Sequence, residues 1–293
     1  METLVNFSPE LSGWIQHNLA RGCTTQDVVA AMTAQKFDSA VAAGLVAAVA
    51  QALARGAPPP ADQVLLDLPD AEYVYEPQRL PPGHVLHAFD RDVPVLMRLQ
   101  RPVIAVLEAV LSTEECDEVI AMARSRLRPS TIVDPETGAD KIVEHRDSEG
   151  MFFGLQETPF IARLDQRISE LMNCPIENGE GLQVLRYGSK AQATPHFDFL
   201  VPSHEANKAS LARSGQRVST MVVYLNDAPA GGETVFPELG LAVTPKKGNA
   251  VYFEYANSLR QVDLRSVHAG APVTGGEKWA LTKWMRERRF VSA

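Results

Sequence analysis

The sequence predicts an α+β protein, a small helical domain followed by a β sandwich or jelly roll with flanking helices. Three observations predict it. Apolar residues within 8–56 recur at helical spacing, and the run APPP at 57–60 then breaks the chain. The stretch STEECDEVIAMARSRL opens with a capping box, Ser112 to Glu115, ahead of an amphipathic pattern. Further on come short β-rich segments, GLQVLRY, TPHFDF, RVSTMVVYL, ETVFP, LAVTP, NAVYFEY and KWALTKWM, divided by turn signals such as NDAPAGG and PKKG.

Taken in order, Ser8-Pro9 supplies a cap and a first-turn proline. Leu11, Trp14, Ile15 and Leu19 then follow at helical spacing until Arg21-Gly22. Thr24 or Thr25 caps a second helix through VVAAM, and Asp38 a third running to Arg55-Gly56. Residues 1–56 are therefore a small three-helix domain, either a partner-binding module or a packed extension. Residues 57–92 read as a linker or extension, and 93–293 as the main domain. VPVLM and PVIAVLEAVL are strand-like or buried runs. The helix from Ser112 places Cys116, Val119, Ile120 and Ala123 on one face, and another helix is expected over 158–172. No internal repeat or low-complexity tract is visible.

Among 293 residues, 45% are hydrophobic and 22% charged, enough for a sizeable core. The net charge is −8, and residues 96–293 hold 25 acids against 23 bases, so clustered phosphate contacts are not expected and nucleic acid is disfavoured as a partner. The basic tail KWMRERRF reads as a solvated edge. Cys23, Cys116 and Cys174 are odd in number without CxxC spacing, which suits reduced thiols. The start METLVNFSPELSG lacks a signal-peptide pattern, and AVAAGLVAAVA at 40–50 is too short to span a bilayer. A cytoplasmic protein without a membrane partner is expected.

ATPHFDFL at 193–200 sets His196 and Asp198 two apart in an apolar, aromatic run. On a strand both would face one side, with Phe197 and Phe199 on the other. Two such buried polar groups need a partner. A metal held by a 2-His-1-carboxylate triad supplies it, against the alternative of a hydrogen-bonded core histidine. Of the seven histidines only His204 and His268 follow Asp198. His204 sits in a polar, loop-like stretch, whereas His268 lies near a strand end and is the better third ligand. Ten residues on, Lys278 falls among Trp279, Ala280, Leu281 and Trp284. An unpaired ammonium there is costly unless it meets an acidic cosubstrate or snorkels from an edge strand.

Residues from about 102 to 288 resemble the prolyl 4-hydroxylase branch of the Fe(II)/2-oxoglutarate dioxygenases. The matching stretches are PVIAVLEAVLSTEECDEVI, HRDSEG, LQVLRYGSKAQATPHFDF, RVSTMVVYLND, GGETVFP, VTPKKGNAVYF and VHAGAPVTGGEKWALTKW, in matching order and spacing. The resemblance implies a double-stranded β-helix with flanking helices, its dioxygenase core at about 180–288. It implies iron ligands His196, Asp198 and His268. It assigns Lys278 to the distal carboxylate of 2-oxoglutarate, helped by Tyr187 and Thr220, and it matches Trp284 to an aromatic that closes the pocket. It also implies dioxygen as cosubstrate and ascorbate as the agent that rescues oxidised iron. The charges of the ferrous ion, Asp198, 2-oxoglutarate and Lys278 cancel, so the assembly suits a dry pocket. No general base is required.

Arg146 and Ser148, in HRDSEGMFFG at 145–154, are candidates for substrate contact, although Arg146 could equally pair with Glu144 on the surface. Residues 201–216 read as a lid or a disordered insertion. Without the long peptide-binding region and secretory context of the animal collagen enzymes, the expected substrate is a cytosolic protein with an exposed proline. A free amino acid or small metabolite comes next. A non-catalytic iron or 2-oxoglutarate sensing module and a jelly-roll sugar-binding protein are the readings from other classes.

Overall fold

The computed structural model describes residues 2–67, 73–129, 132–133, 140–141, 148–202 and 204–292. The chain forms two compact units, 1–72 and 73–293. In the first, strand β1 (Glu2–Asn6) precedes α1 (Pro9–Ala20), α2 (Thr25–Ala34) and α3 (Ser39–Ala54), and β2 (Gln63–Asp67) returns antiparallel to β1. The side chains of Ser8, Thr24 and Asp38 accept backbone N–H bonds at the three helix starts. Ile15, Val28, Met32, Leu45, Val46 and Leu66 build the core. Trp14, expected on the buried face, is 40% exposed. That face centres between Leu11, Ser12, Ile15 and Leu19, and buried Ser12 donates to the Pro60 carbonyl at 2.6 Å, leaving Trp14 at the rim. The stretch 57–92, expected as a linker or extension, contributes β2 to this unit and β3 (Val85–Ala88) to the next.

The second unit continues with β4 (Arg91–Gln100), β5 (Val103–Leu107), α4 (Thr113–Arg124), β6 (Arg128–Pro129), β7 (Ile132–Val133), β8 (Asp140–Lys141), β9 (Ser148–Phe153) and α5 (Pro159–Leu171). Then come β10 (Leu182–Tyr187), β11 (Ala193–His196), α6 (Glu205–Ser214), β12 (Arg217–Tyr224), β13 (Ala230–Gly231), β14 (Thr234–Phe236) and β15 (Leu241–Val243). The last strands are β16 (Ala250–Glu254), β17 (His268–Gly270), β18 (Val273–Gly275) and β19 (Lys278–Arg286). A major sheet runs β3-β4-β5-β16-β12-β19-β10-β9-β6 and a minor sheet β11-β17-β14-β15, both antiparallel. They pack as a double-stranded β-helix with helices on the outer face of the major sheet.

Period-two alternation explains the layering. Along β19, Trp279, Leu281 and Met285 enter the core shared with Leu164 and Ile168 of α5. Lys278, Ala280, Thr282 and Trp284 turn instead to a cavity on the other side. Val251 and Phe253 of β16 likewise meet Phe236 and Val243 of the minor sheet.

Two expectations are corrected here. The tail KWMRERRF, expected as a solvated edge, begins inside the central strand β19, where Lys283 and Arg286 are 0% and 2% exposed. Lys283 Nζ donates to Asp165 Oδ1 at 2.7 Å and the Glu180 carbonyl at 2.6 Å, and Arg286 pairs with Glu180 at 3.0 Å. Partners make these buried cations tolerable. Of the two readings of the insertion 201–216, a lid or a disordered segment, the second is overturned: the insertion contains α6, whose last turns are held by Arg286 and Arg288 donating to main-chain carbonyls.

Candidate metal centre

The β11–β17 ladder places His196 directly opposite His268. Strand β11 ends at His196, and the chain bends so that Asp198 turns in beside both rings. Asp198 Oδ1 lies 3.8 Å from His196 Nε2, and Oδ2 lies 3.6 Å from His268 Nε2. All three ligand atoms fall within 4.8 Å of one another. The Nδ1 atoms stand 2.8 Å from the Thr194 carbonyl and 3.1 Å from the Ser266 carbonyl. A carbonyl only accepts, so each Nδ1 carries the proton and each Nε2 turns a lone pair toward the carboxylate. Burial pushes the His268 pKa down, outweighing the Asp198 charge, and keeps its imidazole neutral. Burial alone would raise Asp198. Charge on His268 and His196 when they are protonated, then Arg217 and the Thr220 hydroxyl, outweigh it and hold the carboxyl below its ordinary value. Two imidazoles with Nδ1 tied to carbonyls, and one carboxylate, fit Fe(II) with open positions.

These groups sit in a cavity of about 610 Å³ that also reaches Lys278. Lys278 is 5% exposed, with Nζ 5.6 Å from the Tyr187 ring centre and 5.5 Å from that of Tyr224. Burial lowers its pKa to about 8, with the Glu233 charge opposing that fall. The turn GlyGly at 231–232 brings the next strand in close. Both residues have φ near 75°, and a Cβ on Gly232 would stand 3.2 Å from Lys278 Cδ. This sets Thr234 on the cavity wall, its Oγ accepting from Tyr224 OH at 2.8 Å.

The sequence-predicted residues separate accordingly. His196, Asp198, His268, Lys278, Tyr187 and Trp284 all line the one cavity. Thr220, expected beside Lys278, is corrected: its hydroxyl donates to Asp198 Oδ2 at 2.7 Å and meets Tyr255 OH at 2.9 Å. Thr234, signalled only by its place in GGETVFP, lines the cavity, which Thr220 does not. Phe197, expected on the far face, lines the cavity, because the strand ends before it, and its ring stacks on Phe199 at 4.6 Å. Ser148 is buried opposite Tyr187 in the β9–β10 ladder, off the cavity wall. Arg146 lies outside the described residues. His204 stands exposed before α6, away from the cluster. Sequence reasoning missed Arg217, which grips Glu180 through two bonds of 2.7 and 2.8 Å and lies 4.1 Å over the Trp284 ring. The buried indole N–H of Trp284 has no acceptor among the described residues.

Residues 182–286 match the sequence profile of the 2OG-Fe(II) oxygenase superfamily. Over 202 residues the chain is 42% identical to prolyl 4-hydroxylase 1 of Arabidopsis thaliana, covering 64% of this chain and 70% of that protein. It is 37% identical over 188 residues to mouse prolyl 4-hydroxylase subunit alpha-1, a match that covers 64% of this chain and 35% of that subunit. Among solved structures, the viral collagen prolyl hydroxylase of Paramecium bursaria Chlorella virus-1, in complex with 2OG, aligns with a TM-score of 0.49 and 27% identity. That alignment covers 62% of this chain and 94% of the viral one.

Proposed function

The chain belongs to the prolyl 4-hydroxylase family of Fe(II)- and 2-oxoglutarate-dependent oxygenases, and on that membership we propose that it hydroxylates a prolyl residue of a peptide or protein. One observation carries the reading: His196, Asp198 and His268 converge at one end of a cavity whose other end holds the buried ammonium of Lys278.

In this reading His196, Asp198 and His268 hold the ferrous ion, and Lys278 receives the distal carboxylate of 2-oxoglutarate beside Tyr187 and Thr234. When bound, iron and 2-oxoglutarate activate dioxygen to place one oxygen on a C–H bond, with release of succinate and carbon dioxide. The carbonyls of Thr194 and Ser266 keep the two imidazoles in the metal-binding tautomer. Phe152, Phe197 and Trp284 give the cavity apolar walls. Arg217 fixes the Trp284 ring from above. A cytoplasmic setting and ascorbate as the reductant that restores oxidised iron complete the proposal, the latter on family resemblance alone. Among the described residues no helix is long and apolar enough to cross a membrane.

Mass spectrometry of lysate proteins incubated with the chain, Fe(II), 2-oxoglutarate and ascorbate tests the reading. A gain of one oxygen on proline supports it. Oxidation confined to a free amino acid or metabolite selects the second substrate class, and the absence of any succinate selects a sensing module.

A further inference from the structure

A second cavity, of about 800 Å³, lies between the strap at residues 75–84 and the β4–β5 turn. It sits on the opposite face of the major sheet from the metal centre. Arg98 faces the same way as its ladder partner Ala105, which packs into the helix-side core, whereas Leu99 and Ile104 pack toward the minor sheet. Strand β4 is four places from β19 in sheet order, a separation of about 19 Å at the usual strand spacing.

The walls are cationic. Arg98 and Gln100 share one face of β4, and Arg101 follows at the turn. Arg98 Nη2 donates to the Pro81 and Gly83 carbonyls at 2.5 and 3.1 Å, and Nη1 to Gln78 Oε1 at 3.4 Å. Its Nε is buried without an acceptor, and among the described residues no carboxylate pairs with it. Burial lowers its pKa, and no neighbouring acid opposes the shift. The Arg101 guanidinium stands 5.6 Å over the Tyr75 ring and has no hydrogen bond or ion pair among the described residues. Glu76, the one acid among the described wall residues, accepts from Ser258 N at 3.0 Å and from Ser258 Oγ. Arg101 is exposed at the turn with no carboxylate paired to it among the described residues, and the orphaned buried N–H of Arg98 is costly until an acceptor completes it. The guanidinium fork matches a carboxylate or phosphate.

We propose that this cavity is a second binding site, taking an oxyanion, carboxylate or phosphate, between Arg98 and Arg101. The site is independent of the metal centre and of the reaction proposed for it. Calorimetric titration of the full chain tests it with three probes: inorganic phosphate, citrate and a proline-free peptide rich in glutamate. Saturable binding of at least one probe is expected, unchanged in Lys278→Met and weakened about tenfold or more in Arg101→Gln, the loss expected for one charged hydrogen-bonding partner. Arg98→Gln also removes three bonds to the strap, so Arg101→Gln, which replaces a side chain that makes no such bonds, guards against a folding artefact. Tighter binding of the peptide assigns the site to an acidic segment of a protein partner, and tighter binding of phosphate or citrate to a free small anion. No saturable binding, or binding by Arg101→Gln as tight as by the unaltered chain, overturns the proposal.

Discussion

The Thr220 hydroxyl donates to Asp198 Oδ2 at 2.7 Å, so the carboxylate faces the two imidazoles already oriented. Thr220→Val keeps the volume and removes the donor. Ferrous affinity is expected to fall about 10- to 100-fold, the usual cost of losing a partner behind a metal ligand, while the KM for 2-oxoglutarate barely changes. Anaerobic iron titration and steady-state kinetics separate the two. A raised 2-oxoglutarate KM with unchanged iron affinity would return Thr220 to the anchor.

Burial lowers the Lys278 pKa to about 8 from the ordinary 10.5. Below pH 8 the ammonium is charged and ready for a dianion. Above it, the charged form and with it 2-oxoglutarate affinity fall about tenfold per pH unit until the higher pKa that Lys278 has in the complex is reached. Between those limits binding takes up a proton, which appears as a buffer-dependent enthalpy. Lys278→Met is expected to lose about 2–5 kcal/mol of 2-oxoglutarate binding and this pH dependence together. Affinity that stays flat from neutral pH to well above 8 would contradict the assignment.

The pair Lys283–Asp165 is buried on both sides, at 2.7 Å. Asp165→Ala strands the ammonium and deprives the Gln156 N–H of its acceptor. Urea unfolding should show a loss of about 3–5 kcal/mol, and combining Asp165→Leu with Lys283→Met should recover part of it. A loss under one kcal/mol would mean that water reaches the lysine.

Strand β2 pairs with β1 across all three N-terminal helices, so a cut after residue 56 leaves β2 attached to the wrong piece. Removal of 1–72 is expected to give a better-behaved protein than removal of 1–56, measured by thermal unfolding and solubility. If the first unit recruits substrate, the shorter chain keeps turnover on a short proline peptide and loses it on the protein.

What the sequence shows plainly is local. His196 and Asp198 are two apart, the Ser112–Glu115 capping box spans one turn, and the caps at Ser8, Thr24 and Asp38 sit beside the helices they start. Lys278 stands out because an ammonium among apolar neighbours needs a reason. What stays hidden depends on pairing between distant segments. Lys283 meets Asp165 over 118 positions and Arg286 meets Glu180 over 106, so a basic string looks solvated until both partners are placed. Thr220 and Thr234 both fall on strands, and alternation gives each a face without naming its neighbour. Phe197 follows the end of β11, where period two no longer holds.

Anaerobic equilibrium dialysis with Fe(II) and 2-oxoglutarate addresses the central claim directly. One iron per chain is expected, with loss of that iron in Asp198→Ala and His268→Ala and its retention in His204→Ala. Iron bound equally by all four proteins would contradict the account.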